Sequence, residues 1–255
     1  VSFLNIERRD LVNAYIQEKG EVQLRELEEI FKDVSSMTLR RDLAYLEKKG
    51  EIIRVRGGAK SIAYVSGIKE EHYSRRADAN IEAKMKIAQK ALKYVESGRS
   101  IFLDSGTTIM CLAQILPEEK LSIITSGPNI AIEIIKKQHV SVTLIGGQLS
   151  RDTISLSGPH SIDFIRDINI DIAFMATSGF SLESGFTSGN YNECELKKAV
   201  IRKARRVILL MDSSKVDRNM PFTFAYLRDI DRLISECPLP EKVIKAALEN
   251  NVELE

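Results

Sequence analysis

"SSMTLRRDLAYLEKKGEIIRVRGGAKS", residues 35–61, decides the architecture of the first part of the chain. Ser35 or Ser36 is a credible helix N-cap, because a short hydroxyl side chain accepts a hydrogen bond from an otherwise unpartnered amide of the first turn. Leu39, Leu43 and Leu46 then recur at helical spacing and the run stops at Gly50. Ile52, Ile53 and Val55 have strand character, and Gly57-Gly58 is a tight turn, so a small hairpin follows the helix. Upstream, Leu4, Leu11, Tyr15 and Ile16 predict one short amphipathic helix ending at Gly20, and Leu24, Leu27, Ile30 and Phe31 a second. Three helices and a hairpin make a winged helix-turn-helix over residues 1–60.

With Leu39, Leu43 and Leu46 turned inward, the outward face of the third helix carries Met37, Thr38, Arg40, Arg41, Ala44, Tyr45 and Lys48, with Ser36 at its start. Over residues 40–60 the basic side chains are Arg40, Arg41, Lys48, Lys49, Arg54, Arg56 and Lys60, against Asp42, Glu47 and Glu51, an excess of four. The whole chain of 255 residues has 37 Lys plus Arg against 36 Asp plus Glu, so the basic character is local and no global field advertises nucleic acid. Arginine bonds a guanine edge bidentately or clamps a phosphate, and a helix fits the major groove. An isolated Arg-Arg-Asp on a helix is usually a solvated face; here the helix and the basic hairpin stand together. Asp42 falls towards the flank of the helix, where it is expected to orient an arginine or a neighbouring helix.

Residues 61–80 are polar, charged and without sustained period, which predicts a linker. From 81 to 255 amphipathic helices alternate with short apolar strands: helices at 81–96, 108–116, 128–137 and 192–204, and strands at 100–104, 121–125, from 140, 170–177 and 206–212. That alternation predicts a mostly parallel sheet covered on both faces, a Rossmann-like α/β domain. In "IFLDSGTTIMCLAQIL" a strand ends at Asp104 and a helix opens near Thr108. Backbone amides at such a helix start, with the hydroxyls of Ser105, Thr107 and Thr108 beside them and no side chain at Gly106, suit a phosphate. A capped turn that only satisfies its own backbone reads equally well from this loop alone. "TSGPN" at 125–129, "IGGQ" at 145–148 and "DSSK" at 212–215 repeat the chemistry at other strand ends. Together these loops predict one polar crevice that includes Thr125, Ser126, Gly146 and Gly147.

Cys111, Cys194 and Cys237 are odd in number and far apart, which argues against a disulfide framework and a zinc site and fits a reducing cytoplasm. His72, His139 and His160 have no metal-ligand or triad spacing, no dinucleotide fingerprint is present, and no apolar run reaches membrane-span length. No metal, cofactor or membrane partner is expected.

The segment 35–61, with its serine, threonine, Arg-Arg-Asp-Leu core, Leu-Glu pair, glycine and basic wing ending in Gly-Gly-Ala, resembles the signature of the DeoR family of bacterial transcriptional regulators. "ERRDLVNAYIQEKGEVQLRELEEIF" is similar to the family's first two helices. The resemblance implies that Ser36, Met37, Thr38, Arg40, Arg41, Tyr45, Lys48, Arg54 and Arg56 face a double-stranded DNA operator. Residues from about 70 to 236 resemble the family's sensor domain, similar in fold to ribose-5-phosphate isomerase, which implies a phosphorylated sugar effector. Carried over, Asp104, Ser105, Gly106, Thr107 and Thr108 hold phosphate or sugar hydroxyls, Lys197 faces the ligand, and Asp212 with Lys215 closes the site. The chain departs from the family pattern at "TSG", where an asparagine more often follows the threonine, and at "LISE" (233–236), where an aspartate is usual. A homo-oligomer, dimer or tetramer, is expected, since one recognition helix reads too few base pairs. The competing reading is an isomerase-like enzyme fused to a winged helix, with Glu193 and Lys197 cast as acid–base groups. Against it, the strand at 170–177 leads into "ATSG" without paired acidic residues.

Overall fold

The computed structural model of the chain describes residues 3–48, 52–55, 57–61 and 72–255. It divides into two compact units, Val1–Lys69 and Glu70–Glu255.

The first unit holds α1 (Phe3–Lys19), β1 (Glu21–Gln23), α2 (Leu24–Ile30), α3 (Ser36–Lys48), β2 (Ile52–Val55) and β3 (Gly58–Ser61). Val12, Ile16, Leu27, Leu39, Leu43, Leu46 and Ile52 form its core. Leu11 departs from the predicted stripe: it is exposed, and Val12 takes the inward position beside Ile16. A short strand also precedes α2, so the wing is a three-stranded sheet of order β1-β3-β2. Gly57 turns the hairpin with φ +83, and a Cβ on Gly58 would stand 2.0 Å from the Val22 carbonyl oxygen, so β1 can approach only glycine there.

The second unit opens with α4 (Tyr73–Asp78), a helix inside the stretch predicted as linker; its Tyr73 is buried, which local composition does not announce. Then come α5 (Ile81–Leu92), β4 (Ser100–Leu103), α6 (Thr107–Ile115), β5 (Leu121–Thr125), α7 (Pro128–Ile134), β6 (Val140–Leu144), β7 (Gln148–Ser150), β8 (Ser155–Ser157) and α8 (Pro159–Arg166). The remainder is β9 (Ile170–Ala176), β10 (Gly179–Ser181), β11 (Gly185–Ser188), α9 (Tyr191–Lys203), β12 (Ala204–Leu210), β13 (Phe222–Ala225), β14 (Arg232–Ile234), α10 (Glu241–Glu249) and β15 (Glu253–Leu254).

Seven strands form one parallel sheet of order β15-β14-β12-β9-β4-β5-β6. Successive side chains of a strand point to opposite faces. Ile101, Leu103, Ile123, Ile172, Phe174, Ile208 and Leu210 accordingly pack with Ile87, Ile109, Leu112 and Ile130 of α5, α6 and α7. Phe102, Ala173, Met175 and Leu209 pack into a second core with Leu196 and Val200 of α9 and Val243 of α10. The sheet grows in opposite directions from β4: its own successor β5 lies on one side and β9 on the other. In a doubly wound sheet the crevice opens where the order reverses, beyond the carboxyl ends of those two strands. Here that is Asp104 next to Ala176.

Candidate functional site

In the first unit Ser35 is the cap of α3: its Oγ accepts from the Thr38 amide at 3.3 Å and meets Thr38 Oγ1 at 2.9 Å. Ser36, Met37, Arg40, Arg41, Tyr45 and Lys48 lie exposed along one face, while Thr38 is half-buried. Asp42 is buried at 1 % exposure and holds α1 to α3. Arg8 Nε and Arg9 Nε each donate to its carboxylate at 2.7 Å, and Arg8 Nη2 at 3.3 Å. The hydrogen bond and charge of Asp42 push the Arg8 guanidinium above its ordinary range. Arg9 lies over the Tyr45 ring at 4.1 Å, which fixes that ring on the exposed face. Arg54 differs from the free phosphate clamp expected of a wing. Its Nε and its amide both donate to Glu47, at 2.7 and 3.0 Å, and this pairing draws the Glu47 carboxyl below its usual range. Arg56 lies outside the described residues. Asp42→Ala leaves two arginines without their acceptor and is expected to destabilise the first unit by about 1–3 kcal/mol. Urea unfolding followed at Tyr15 and Tyr45 measures it.

In the second unit the cleft sits at the switch point between β4 and β9. Ser105, Gly106, Thr107 and Thr108 form one wall at the N-terminus of α6, Ala176, Thr177 and Ser178 a second, and Glu193, Lys197, Asp212 and Lys215 a third. The first amides of a helix have no intrahelical acceptor and carry the positive end of its dipole.

Asp104 stands behind this wall, not on it. Its buried carboxylate accepts from Lys197 Nζ, from the Ala176 amide at 2.9 Å and from the Ser105 amide at 2.9 Å, so it positions the lysine and is not open to a ligand. Lys197 Nζ also donates to the Ala176 carbonyl at 3.0 Å. Asp212 accepts at Oδ1 from the Ser214 amide at 3.2 Å and from Ser214 Oγ. Ser213 donates from its amide and its Oγ to Glu236, at 3.0 and 2.5 Å, so the glutamate of "LISE" anchors the Asp212–Lys215 turn from behind.

Thr125, Ser126, Gly146 and Gly147 do not line the cleft. Thr125 Oγ1 accepts from the Gly127 amide at 3.0 Å, and the Ser126 carbonyl accepts from the Leu156 amide at 2.8 Å. The Gly146 carbonyl accepts from Ser161 Oγ at 2.5 Å, and a Cβ on Gly147 would stand 2.6 Å from the Ser157 carbonyl oxygen. These loops therefore join the ends of β5 and β6 to β8 and α8. The single crevice expected from four loops is built from two of them, because β5 and β6 lie outboard of the switch.

Four residues that the sequence reading passed over complete the walls: Arg76, Lys84, Thr153 and Arg218. Lys84 is buried and donates to the carbonyls of Arg76 and Ala79, closing the end of α4; burial lowers its pKa, with Asp212 opposing. Asn80, at φ +53, donates through Nδ2 to Asp212 Oδ1 at 3.3 Å and to Ser214 Oγ at 3.2 Å. Thr153 and Ser155 hydroxyls both donate to Glu193. Arg76, Lys84, Lys197, Lys215 and Arg218 thus surround a cleft whose carboxylates are Glu193, Asp212 and, behind Lys197, Asp104, an excess of two positive charges. The sequence signal was present in "RRADANIEAK", but its position within a polar stretch concealed it. Among the described residues no group of His, Cys, Asp and Glu could hold a metal ion, and no helix is long and apolar enough to cross a membrane.

A winged helix with a basic exposed recognition helix and an α/β domain with a charged cleft define a DNA-binding transcriptional regulator with a sensor domain. Family models agree: residues 8–65 match the DeoR-like helix-turn-helix domain and residues 79–236 the DeoR C terminal sensor domain. The chain belongs to the DeoR family. It is 34% identical over 248 residues to the uncharacterized HTH-type transcriptional regulator YulB of Bacillus subtilis, covering 97% of this chain and 95% of that one. It is 36% identical over 203 residues to the HTH-type transcriptional regulator GlpR of Haloferax volcanii, covering 79% of this chain and 78% of that one. The glycerol-3-phosphate regulon repressor of Escherichia coli is 29% identical over 250 residues, 98% of each chain. Among solved structures, ribose 5-phosphate isomerase A of Methanocaldococcus jannaschii aligns over 55% of this chain and 56% of that one, with 18% identity and TM-score 0.41. Domains and relatives make the chain a regulator in place of an isomerase fused to a winged helix.

Proposed function

We propose that the chain represses genes of sugar catabolism from a double-stranded operator, as a homo-oligomer in the cytoplasm, and that a phosphorylated sugar or close metabolite in the sensor cleft controls it. The observation that carries the effector reading is the cleft itself: an excess of two positive charges meets the N-terminus of α6, which suits a phosphate dianion. Relatives named as the glycerol-3-phosphate regulon repressor and as a putative aga operon repressor support the same class of regulated genes. The exposed face of α3, with Ser36, Met37, Arg40, Arg41, Tyr45 and Lys48, supports the operator reading. Paired half-sites supply the sequence length that one such helix lacks. We take residues 1–60 as the DNA-binding domain and 81–255 as the sensor, to which α4 and Asn80 belong as well, since Arg76 lines the cleft and Asn80 holds Asp212.

If Arg41 reads a base edge, Arg41→Ala weakens operator binding by about 1–3 kcal/mol and relaxes preference at one position. Lys48→Ala acts on all sequences alike and flattens the salt dependence by about one unit of slope. Gel-shift titrations at two salt concentrations separate the two outcomes. A folded Arg40→Ala/Arg41→Ala variant that binds normally would remove α3 from the groove.

A further inference from the structure

The parallel sheet ends at β6, which among the described residues has a strand neighbour on one side only, β5. Exposed sheet edges template pairing with another chain, and proteins blunt them with charge, proline, bulges or very short strands. β6, "VSVTL", is five residues long and has neither charge nor proline. Three large apolar side chains lie exposed in β6 and in the helix that packs on it: Leu144 of β6 is 41% exposed, and Ile132 and Ile135, on α7 and its C-cap, are 66% and 70% exposed. α7 packs on β6, and residues three apart share one helix face, so the two isoleucines and Leu144 belong to the same edge of the domain.

We propose that this edge is the self-association surface of the sensor domain, β6 pairing antiparallel with β6 of a second copy about a two-fold axis at Val142. This rests on the oligomeric reading above and names its surface. In that register Val140 faces the partner's Leu144, Ser141 the partner's Thr143, and Val142 its own copy, so no like charges meet within the ladder. The basic approach to the strand, Lys136, Lys137 and His139, falls beside the partner's Ile145–Gln148, which carries no charge. An extended peptide from another protein could satisfy the strand edge but would bring no helix to cover Ile132 and Ile135. A second copy brings its own α7 with the same two side chains across the axis. The arrangement is isologous, the symmetry that paired operator half-sites require.

Analytical ultracentrifugation of the full chain, monomer mass 28.7 kDa, tests it. Leu144→Lys/Ile135→Lys is expected to halve the mass of the wild-type oligomer and to raise its dissociation constant at least about tenfold, since the lysine at 144 would face the partner's Val140 and both ammonium groups would lose water in the interface without gaining an acidic partner. Ile135→Lys alone, at an already exposed helix position, moves the equilibrium the same way and guards against misfolding at Leu144. Val142→Cys in a Cys237→Ser background is expected to form an intermolecular disulfide on oxidation, whereas Ser122→Cys, one strand inboard, does not. An oligomer that survives both lysines overturns the edge and leaves the oligomeric reading intact. Absence of the Val142 cross-link overturns the register. A wild-type monomer at operator-binding concentrations overturns both.

Discussion

Lys197→Ala is expected to cost the sensor domain about 3–5 kcal/mol, a far larger effect than the loss of a surface lysine. Lys197 and Asp104 are 6% and 2% exposed, and their ion pair is buried in a wall made of Ala176 and the start of α6. Removing the ammonium leaves a carboxylate, 2% exposed in the intact fold, held only by the amides of Ser105 and Ala176. Asp104→Ala should cost a similar amount for the converse reason, since Lys197 would keep the Ala176 carbonyl and lose its counter-charge. The double variant Asp104→Asn/Lys197→Met removes both charges together and is expected to recover much of the loss. Urea denaturation of the three variants measures the pattern. Single variants within about 1 kcal/mol of wild type would show that the pair does not hold the wall. Lys197 both pairs with Asp104 and lines the cleft, and stability must therefore be measured before any change in ligand affinity is credited to a lost contact.

That pair also marks where sequence reasoning stops. Asp104 and Lys197 are separated by 93 positions, and nothing in "FLDSG" or "ELKKAV" says that one neutralises the other. Asp42 in the first unit is a partial contrast: its place on the flank of α3 predicts that it orients an arginine or a neighbouring helix, but only the fold says that the partners are Arg8 and Arg9 of α1. By contrast, α3 was legible because its leucine stripe and serine cap are local, and the strands around β9 because they are runs of β-branched and aliphatic residues. The loops at 125–126 and 145–147 have the composition of a phosphate cradle, but composition does not encode strand order. Placing β5 and β6 outboard of β4 takes them from the cleft; placing β12 beside β9 keeps Asp212 and Lys215 in it. The antiparallel sheet β10-β11-β13, with strands of three or four residues, was too short to show a period. Its stacked Phe180 and Phe186, 4.5 Å between centroids, belong to the core that supports α9 and hence Lys197.

Thr107→Glu is expected to abolish effector binding with the fold intact. Thr107 is the first residue of α6, on the cleft wall, and a carboxylate there is favoured by the helix dipole, so the helix itself gains. The same carboxylate occupies the position proposed for the phosphate and consumes the amides and part of the positive excess that would hold it. Loss of two charge-assisted hydrogen bonds, each about 1.5–3 kcal/mol, lowers affinity by about a hundredfold or more. Thr107→Ser keeps the hydroxyl and is expected to bind near the wild-type level, which separates charge from shape. Calorimetry with a panel of phosphorylated sugars, each paired with its unphosphorylated form, is the measurement. Equal binding of the two forms would remove the phosphate from Ser105–Thr108, and slow conversion of an aldose phosphate to its ketose would reopen the isomerase reading. The consequence reaches the operator. A coupling of about 1–3 kcal/mol makes effector change operator occupancy severalfold in the wild type, in whichever direction the ligand acts. Thr107→Glu can bind the operator as well as wild type does, yet its occupancy should no longer move when effector is added. A variant that still responds would place the effector away from the α6 terminus, because linkage allows a ligand to shift DNA affinity only by its own difference in affinity for the two states.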